Sequence, residues 1–198
     1  MKGNIRNLIV TTFFIVAAGG LAGCATANKS IESGNDLTAA ATGNPVVFGK
    51  FRLIRNGNEA RLGSDMLSTT ATLTLRKAGS AEEFVGAVGA NGEFAWALEP
   101  GFYRVARIGF DNRGDRVEPI TNFTFRVSGD HEAVYIGTVT LEATFDSGYY
   151  GLNGVVDGYA VSNDCATDCA PRLERLGLAA DDLATAVMYQ PSPVASTN

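Results

Sequence analysis

Apolar and polar side chains alternate along much of the chain, a pattern typical of strands with one buried face. Segment 69–77 shows it most clearly, with alanine and leucines on one face and threonines and an arginine on the other. Turn residues rich in Gly, Asn, Asp and Pro separate the alternating runs, which favours short antiparallel strands. The pattern predicts strands at 46–54, 69–77, 84–88, 94–98, 102–110, 121–127 and 133–141, and one or two more within 149–161.

The turns between these runs indicate how the strands connect. Asn56-Gly57 is a strong turn signal, Asn91-Gly92 favours a tight hairpin turn, and Pro100-Gly101 marks another reversal. We therefore predict an all-β fold, an antiparallel Ig-like or transthyretin-like β-sandwich of about seven to eight strands. Residues 46–161 form this domain.

A different pattern closes the chain and predicts a short helical C-terminal segment over 162–190. Pro171 suits the first turn of a helix. Within 181–188, Leu183 and Val187 lie four apart, which predicts a further helical turn or two. Two prolines follow, at 191 and 193, so we expect 191–198 to be a disordered tail.

The first 23 residues have the parts of a secretory signal: a basic start at Lys2 and Arg6, an apolar run over 8–18 and small residues before Cys24. That run is too short to span a bilayer as a stable helix. The sequence Leu21-Ala22-Gly23-Cys24 resembles the lipobox of bacterial lipoproteins. The resemblance implies cleavage before Cys24 and a covalent lipid on that residue, with no other cofactor. Ala25, where aspartate would favour the inner membrane, points to the outer membrane facing the periplasm.

Segment 24–45 consists mainly of small and polar residues and has almost no large apolar side chain, so we predict a flexible tether. The whole chain has a net charge of −5. Without Lys2 and Arg6, fourteen basic residues face twenty-one acidic ones, and the net charge is about −7. So acidic a chain is a poor partner for nucleic acid. The lipid, rather than electrostatic attraction, must hold it at a membrane.

Cys165 and Cys169 remain after Cys24. An exported chain meets oxidising conditions, and a spacing of four on a helical turn brings two cysteines within disulfide reach. We favour a disulfide that pins a local turn. A metal site, free thiols and a bond to another chain stay open, although the only histidine, His131, is distant in sequence.

The run from Gly92 to Val105, Gly-Glu-Phe-Ala-Trp-Ala-Leu-Glu-Pro-Gly-Phe-Tyr-Arg-Val, resembles the hairpin of carboxypeptidase-regulatory-like (transthyretin-like) β-sandwich domains. Tyr135-Ile136-Gly137-Thr138 resembles the closing strand of lipoproteins that carry such domains. The resemblance extends over about 46–141 and implies a structural or interaction module without chemistry.

Candidate chemistry is sparse. Asp111 and Asp115 could act as an acid–base pair, or with Glu118 could hold calcium, but a solvated hairpin loop is the favoured interpretation. Arg113-Gly114-Asp115 matches an adhesion tripeptide that occurs often by chance. Aromatic residues could stack on sugars, but their alternation favours a core role. They are Phe94, Trp96, Tyr103, Phe123 and Phe125.

Tyr149 and Tyr150 are the better candidates for ligand contact, because adjacent strand residues face opposite ways. The leading hypothesis is a non-enzymatic, membrane-anchored envelope lipoprotein that acts as a structural or accessory interaction module with an envelope protein partner. The alternative is a glycan- or peptide-binding lipoprotein. An enzyme would need a cleft with convergent titratable groups.

Overall fold

A computed structural model describes residues 29–30, 43–63, 69–112, 115–148 and 151–191. The described chain forms two packed β-sheets and one helix, which confirms the prediction of an all-β sandwich with a short helical segment. Eight of its strands have five residues or more. The helix, α1, spans Cys165–Leu176 and is followed by a 3-10 turn at Ala180–Asp182.

The strands divide equally between the two sheets. Sheet A contains β1 (Lys29–Ser30), β4 (Thr70–Lys77), β5 (Glu83–Ala87), β7 (Gly101–Asn112), β8 (Asp115–Val117) and β9 (Ile120–Val127). Sheet B contains β2 (Val46–Arg55), β3 (Asn58–Glu59), β6 (Glu93–Ala97), β10 (Ala133–Gly148), β11 (Gly151–Ser162) and β12 (Leu183–Thr185). Most pairs are antiparallel, but β2 and β12 both pair with β10 in parallel.

Alternate residues of both sheets fill the space between them, as the sequence pattern predicts. On β4, Ala71, Leu73 and Leu75 point into this core, and on β9, Phe123 and Phe125 do so. Trp96 is completely buried and stacks on Phe94, with ring centroids 4.2 Å apart.

The turn predicted at Asn56-Gly57 is present, but the hairpin predicted at Asn91-Gly92 is not. Asn56 and Gly57 both have positive φ angles, 49° and 78°, and close the β2–β3 hairpin. Gly92 also turns the chain, with φ 80°, but β5 before it belongs to sheet A and β6 after it to sheet B. The hairpin prediction at Asn91-Gly92 is therefore wrong. The turn carries the chain from one sheet to the other.

The same correction applies at Pro100-Gly101. β6 lies in sheet B and β7 in sheet A, so the run that resembles a hairpin crosses the sandwich. A hairpin and a crossing bury the same alternate residues, and alternation alone cannot distinguish them. Tyr103 secures the crossing because its hydroxyl donates a hydrogen bond to the carbonyl of Glu99, 3.0 Å away.

The C-terminal predictions need two corrections. The helix begins at Cys165, so Pro171 lies in its interior rather than its first turn. Residues 183–185 form strand β12 rather than a helical turn, and the amide of Met188 then donates to the carbonyl of Ile136. The spacing of apolar residues suggested a helix there. The backbone N–H and C=O groups of residues 133–135 on β10 instead provide hydrogen-bond partners for an extended segment. Segment 149–161 proves to contain one long strand, β11, despite its glycines.

Two residues of the predicted tether are also part of the sandwich. Lys29 and Ser30 pair in parallel with Phe84 and Val85 at the outer edge of β5. A strand at the edge of a sheet has unpaired backbone N–H and C=O groups. These groups of β5 can therefore form hydrogen bonds with the backbone of Lys29 and Ser30.

The fold predicts a steric constraint at Gly86 on β5. A Cβ atom there would lie 2.5 Å from Cε2 of the buried Trp96 ring. We expect Gly86→Ala to lower the free energy of unfolding by about 1–3 kcal/mol, the usual range for overpacking. Urea unfolding followed by Trp96 fluorescence measures it. Gly158→Ala is the matched control, since a Cβ at Gly158 meets nothing within 4 Å. Equal stabilities of the two variants would contradict this packing.

Candidate functional site

Several residues singled out from the sequence lie outside the described residues. They are Cys24, Tyr149 and Tyr150, and also Arg113 and Gly114 of the adhesion-like tripeptide. The lipid site and the tyrosine contacts therefore stay predictions. Asp111 lies near the end of β7, where it pairs with Arg116 of β8. This antiparallel pairing fits the favoured interpretation of the loop as a hairpin turn.

Cys165 and Cys169 form a disulfide across one turn of α1, with Cα atoms 4.7 Å apart. This confirms the predicted bridge, and bonded cysteines offer no thiolate to a metal. Cys169 is buried, and Leu173 and Leu176 follow it on the same face of the helix. The bridge therefore closes the helical turn that packs against sheet B.

The aromatic residues weighed as sugar-stacking groups fill the core instead. None of the five is more than 3% exposed. Burial raises the pKa of Tyr103 to about 12. The core interpretation is confirmed, and these rings are not available to a ligand. They are Phe94, Trp96, Tyr103, Phe123 and Phe125.

Helix α1 covers the outer face of sheet B. Phe48 and Tyr135 point outward from β2 and β10, where Leu173 and Leu176 pack against them. This second apolar cluster is separate from the core between the sheets. The outer face of sheet B at this end is therefore closed to partners.

Arg172 fixes the helix to the sheet. It is 7% exposed, and its guanidinium donates to the carbonyl oxygens of Phe94 at 2.6 Å and Gly49 at 3.4 Å. It also forms an ion pair with Glu93 at 3.2 Å. Burial lowers the pKa of Arg172, and the charge of Glu93 opposes that shift. The guanidinium thus satisfies sheet carbonyls that the helix would otherwise cover.

A cleft of about 490 Å³ lies beside this contact, between α1 and the β5–β6 loop. Its charged groups are Glu93, Arg172 and Arg175, and Glu93 binds both arginines. Burial acts to raise the pKa of Glu93, but the two arginines outweigh it and lower the pKa. These three charges satisfy one another and stabilise the contact between the helix and sheet B.

The outer face of sheet A carries no helix in the described structure. Glu83 of β5 is buried there and binds both Arg76 of β4 and Arg107 of β7. Burial acts to raise the pKa of Glu83, but hydrogen bonds and charges from the two arginines lower it overall. The Nε atoms of both arginines are buried without an acceptor among the described residues. The single carboxylate of Glu83 thus forms ion pairs with two arginines.

Next to this ion pair network, the face forms a groove of about 310 Å³, which we call the arginine groove. Arg104 of β7 lies directly opposite Arg76 in the strand register, and it makes no hydrogen bond or ion pair with any described residue. Phe102 and Tyr189 border it and are 59% and 61% exposed. Arg126 lies over the Phe102 ring at 5.6 Å.

Sequence reasoning did not single out Phe102, Arg104 or Tyr189. The signal for the first two was present, because Tyr103 and Val105 point inward and their neighbours on the strand must point outward. Tyr189 had no such signal. It lies here because its backbone pairs with Thr124, with N···O distances of 2.8 and 3.0 Å.

No family model, curated protein or solved structure matches this chain. The resemblances to bacterial lipoproteins and to transthyretin-like domains therefore stay predictions. Within residues 43–63, 69–112, 115–148 and 151–191, no helix is long and apolar enough to cross a membrane. The same residues bring no three His, Cys, Asp or Glu side chains together as a metal site.

The buried contact of Arg172 yields a test. Arg172→Met removes the donor from two sheet carbonyls and leaves Glu93 with one arginine, so we expect the free energy of unfolding to fall by about 2–4 kcal/mol. Arg175→Met removes an exposed partner of the same glutamate and should cost about 1 kcal/mol or less. Urea unfolding of both variants measures the difference. Equal losses would show that Arg172 does not fix the helix.

The ion pairs of Glu83 predict a pH dependence. A carboxyl with a lower pKa in the folded state binds fewer protons there, so it stabilises the fold above its unfolded pKa of about 4.3. That contribution is lost as the pH falls through the folded value. We expect Glu83→Gln to be less stable than the wild type at pH 7, with the difference shrinking as the pH falls from about 5 to 3.

Urea unfolding at a series of pH values measures this. The matched control is Glu174→Gln on the exposed side of α1, which should follow the wild type throughout. A Glu83→Gln difference that stays constant across the range would contradict the role given to the ion pairs.

Proposed function

We propose that this protein is a non-enzymatic envelope lipoprotein, anchored through lipid on Cys24, whose β-sandwich binds an envelope protein through the outer face of sheet A. One observation carries the proposal. Helix α1 covers one end of the outer face of sheet B, whereas that of sheet A carries no helix in the described structure and displays Phe102, Ile120 and Tyr189 to solvent, with Ile120 83% exposed.

The composition of this face supports a protein partner. Exposed aromatic residues and arginines are enriched where proteins bind one another. Arg104 and Arg126 lie beside Phe102, and Ile120 lies further along β9 on the same face, opposite Arg107. Large apolar groups grouped on one exposed face commonly mark an interaction site.

The anchor is supported by the sequence alone. A basic start, a short apolar run and the Leu21-Ala22-Gly23-Cys24 resemblance agree with one another. Two or more acyl chains hold a protein firmly at a membrane. We place the protein at the outer membrane, facing the periplasm, because Ala25 follows the cysteine.

The environments of the buried charges support a role without catalysis. Glu83 and Arg172 are both buried, and both are engaged in contacts that hold strands or the helix together. Their pKa shifts follow from those structural ion pairs. Such networks perturb a pKa without any catalytic role.

In vivo photo-crosslinking tests the proposal in intact cells. A benzophenone amino acid at position 120 should capture one dominant envelope protein. The same group at Glu174, exposed on α1, is the matched control and should not. Palmitate should label the wild type and not Cys24→Ala. Loss of the anchor should reduce the crosslink at least about fivefold, because anchoring raises the effective concentration of the partners.

Crosslinks of equal yield at positions 120 and 174 would show that sheet A has no special role. Absence of any crosslink at position 120 would refute the proposal that the outer face of sheet A is the binding surface. Palmitate label that persists in Cys24→Ala would refute the anchor.

A further inference from the structure

The arginine groove and its surroundings bring together more cations than the fold neutralises. Arg76 and Arg104 are direct cross-strand partners on β4 and β7, and like charges in that position destabilise a sheet. Glu83 binds Arg76 but is shared with Arg107, and Arg104 has no polar partner among the described residues. Arg126, opposite Phe102 on β9, adds a third cation beside this pair.

This local excess of positive charge occurs in a chain whose net charge is −5. The arginines of this face therefore form a local cationic patch on an acidic chain. A negatively charged ligand would relieve the repulsion between Arg76 and Arg104. Planar guanidinium groups bind carboxylates through paired hydrogen bonds, which makes carboxylates suitable partners.

The two exposed rings define the rest of the ligand. Phe102 and Tyr189 both line the groove and offer exposed apolar surface there. Tyr, Phe and Arg together are the residues most enriched at protein interfaces. The complementary surface alternates carboxylates with apolar side chains.

The location of the groove constrains how a partner binds. Arg104 is on β7, which is paired on both sides, with β4 and β9. No backbone edge is therefore free at Arg104, and strand addition cannot operate there. Recognition must come from side chains that meet the face of the sheet.

We propose that the arginine groove binds an acidic segment of a partner protein, with carboxylates on Arg104 and Arg126 and apolar side chains against Phe102 and Tyr189. This rests on the proposed function and names the chemistry of the partner. If the proposal holds, the role of Arg104 is to bind the partner, and the residue does not stabilise the fold.

The test uses the full lipidated chain in neutral detergent and a synthetic twelve-residue peptide in which Glu alternates with Leu. Binding is followed by NMR shifts of Phe102, Thr124 and Tyr189. We expect the dissociation constant to rise at least about tenfold when Gln replaces every Glu in the peptide. Arg104→Gln should raise it at least about fivefold. The matched control, Arg52→Gln, removes an exposed arginine of sheet B and should change it less than about twofold.

Stability gives an independent readout. If Arg104 serves binding, Arg104→Gln removes a like-charge contact and the melting temperature should hold or rise. A clear fall would show a structural role and overturn the proposal. Equal binding of the Glu and Gln peptides, or tighter binding of trigalacturonate at the same residues, would also overturn it, the latter in favour of an anionic glycan.

These failures differ from failure of the proposed function. If position 120 still captures its partner in cells when Arg104 is Gln, the face is used but the groove does not recognise acidic groups. If that capture is absent in the wild type, the face itself is not the interface.

Discussion

The sandwich depends on the close approach of β2 and β10 at Gly49 and Gly137. A Cβ at Gly49 would lie 2.5 Å from the carbonyl oxygen of Gly137, so only glycine fits. Gly137 has φ 96°, a left-handed conformation that glycine adopts without strain, and the β2–β10 register shifts at this point. The shift changes which alternate residues of β10 face inward. Val134 and Ile136 enter the core before it, and Val139 and Leu141 do so after it.

β10 therefore contributes side chains both to the core between the sheets and to the apolar cluster under α1. Before the shift, Tyr135 points outward to meet α1, and after it the strand pairs with β11 along its length. Arg172 reaches the carbonyl of Gly49 itself, so the helix is fixed where the two strands approach most closely. This geometry places the helix over one end of sheet B, whereas the outer face of sheet A carries no helix in the described structure.

Much of this could be predicted from particular residues. The alternation at 69–77 and 121–127 gave correct strands because one face of each is buried and the other is not. Cys165 and Cys169 gave a correct bridge because four residues span one helical turn. Assignment of strands to sheets failed at Gly92 and Gly101, since hairpins and crossings bury the same residues. Residues 183–185 were predicted incorrectly because their hydrogen-bond partners, on β10, are distant in sequence.

The candidate site was harder to predict than the fold. Arg104 is one of many arginines in the sequence, and only the strand register shows that it lies opposite Arg76. Tyr189 comes from the last described segment and joins the groove because its backbone pairs with Thr124 of β9. Properties that depend on which strands are neighbours do not appear in a one-dimensional pattern.

The pairing of Lys29 and Ser30 with β5 also limits how far the sandwich lies from its anchor. With Cys24 acylated as proposed, four residues, 25–28, separate it from Lys29, and the five residue-to-residue steps span at most about 18 Å. The β5 edge of sheet A then lies within about 18 Å of the lipidated residue. The short connection ties this edge of the sandwich closely to the lipid, instead of leaving the domain at the end of a long free tether.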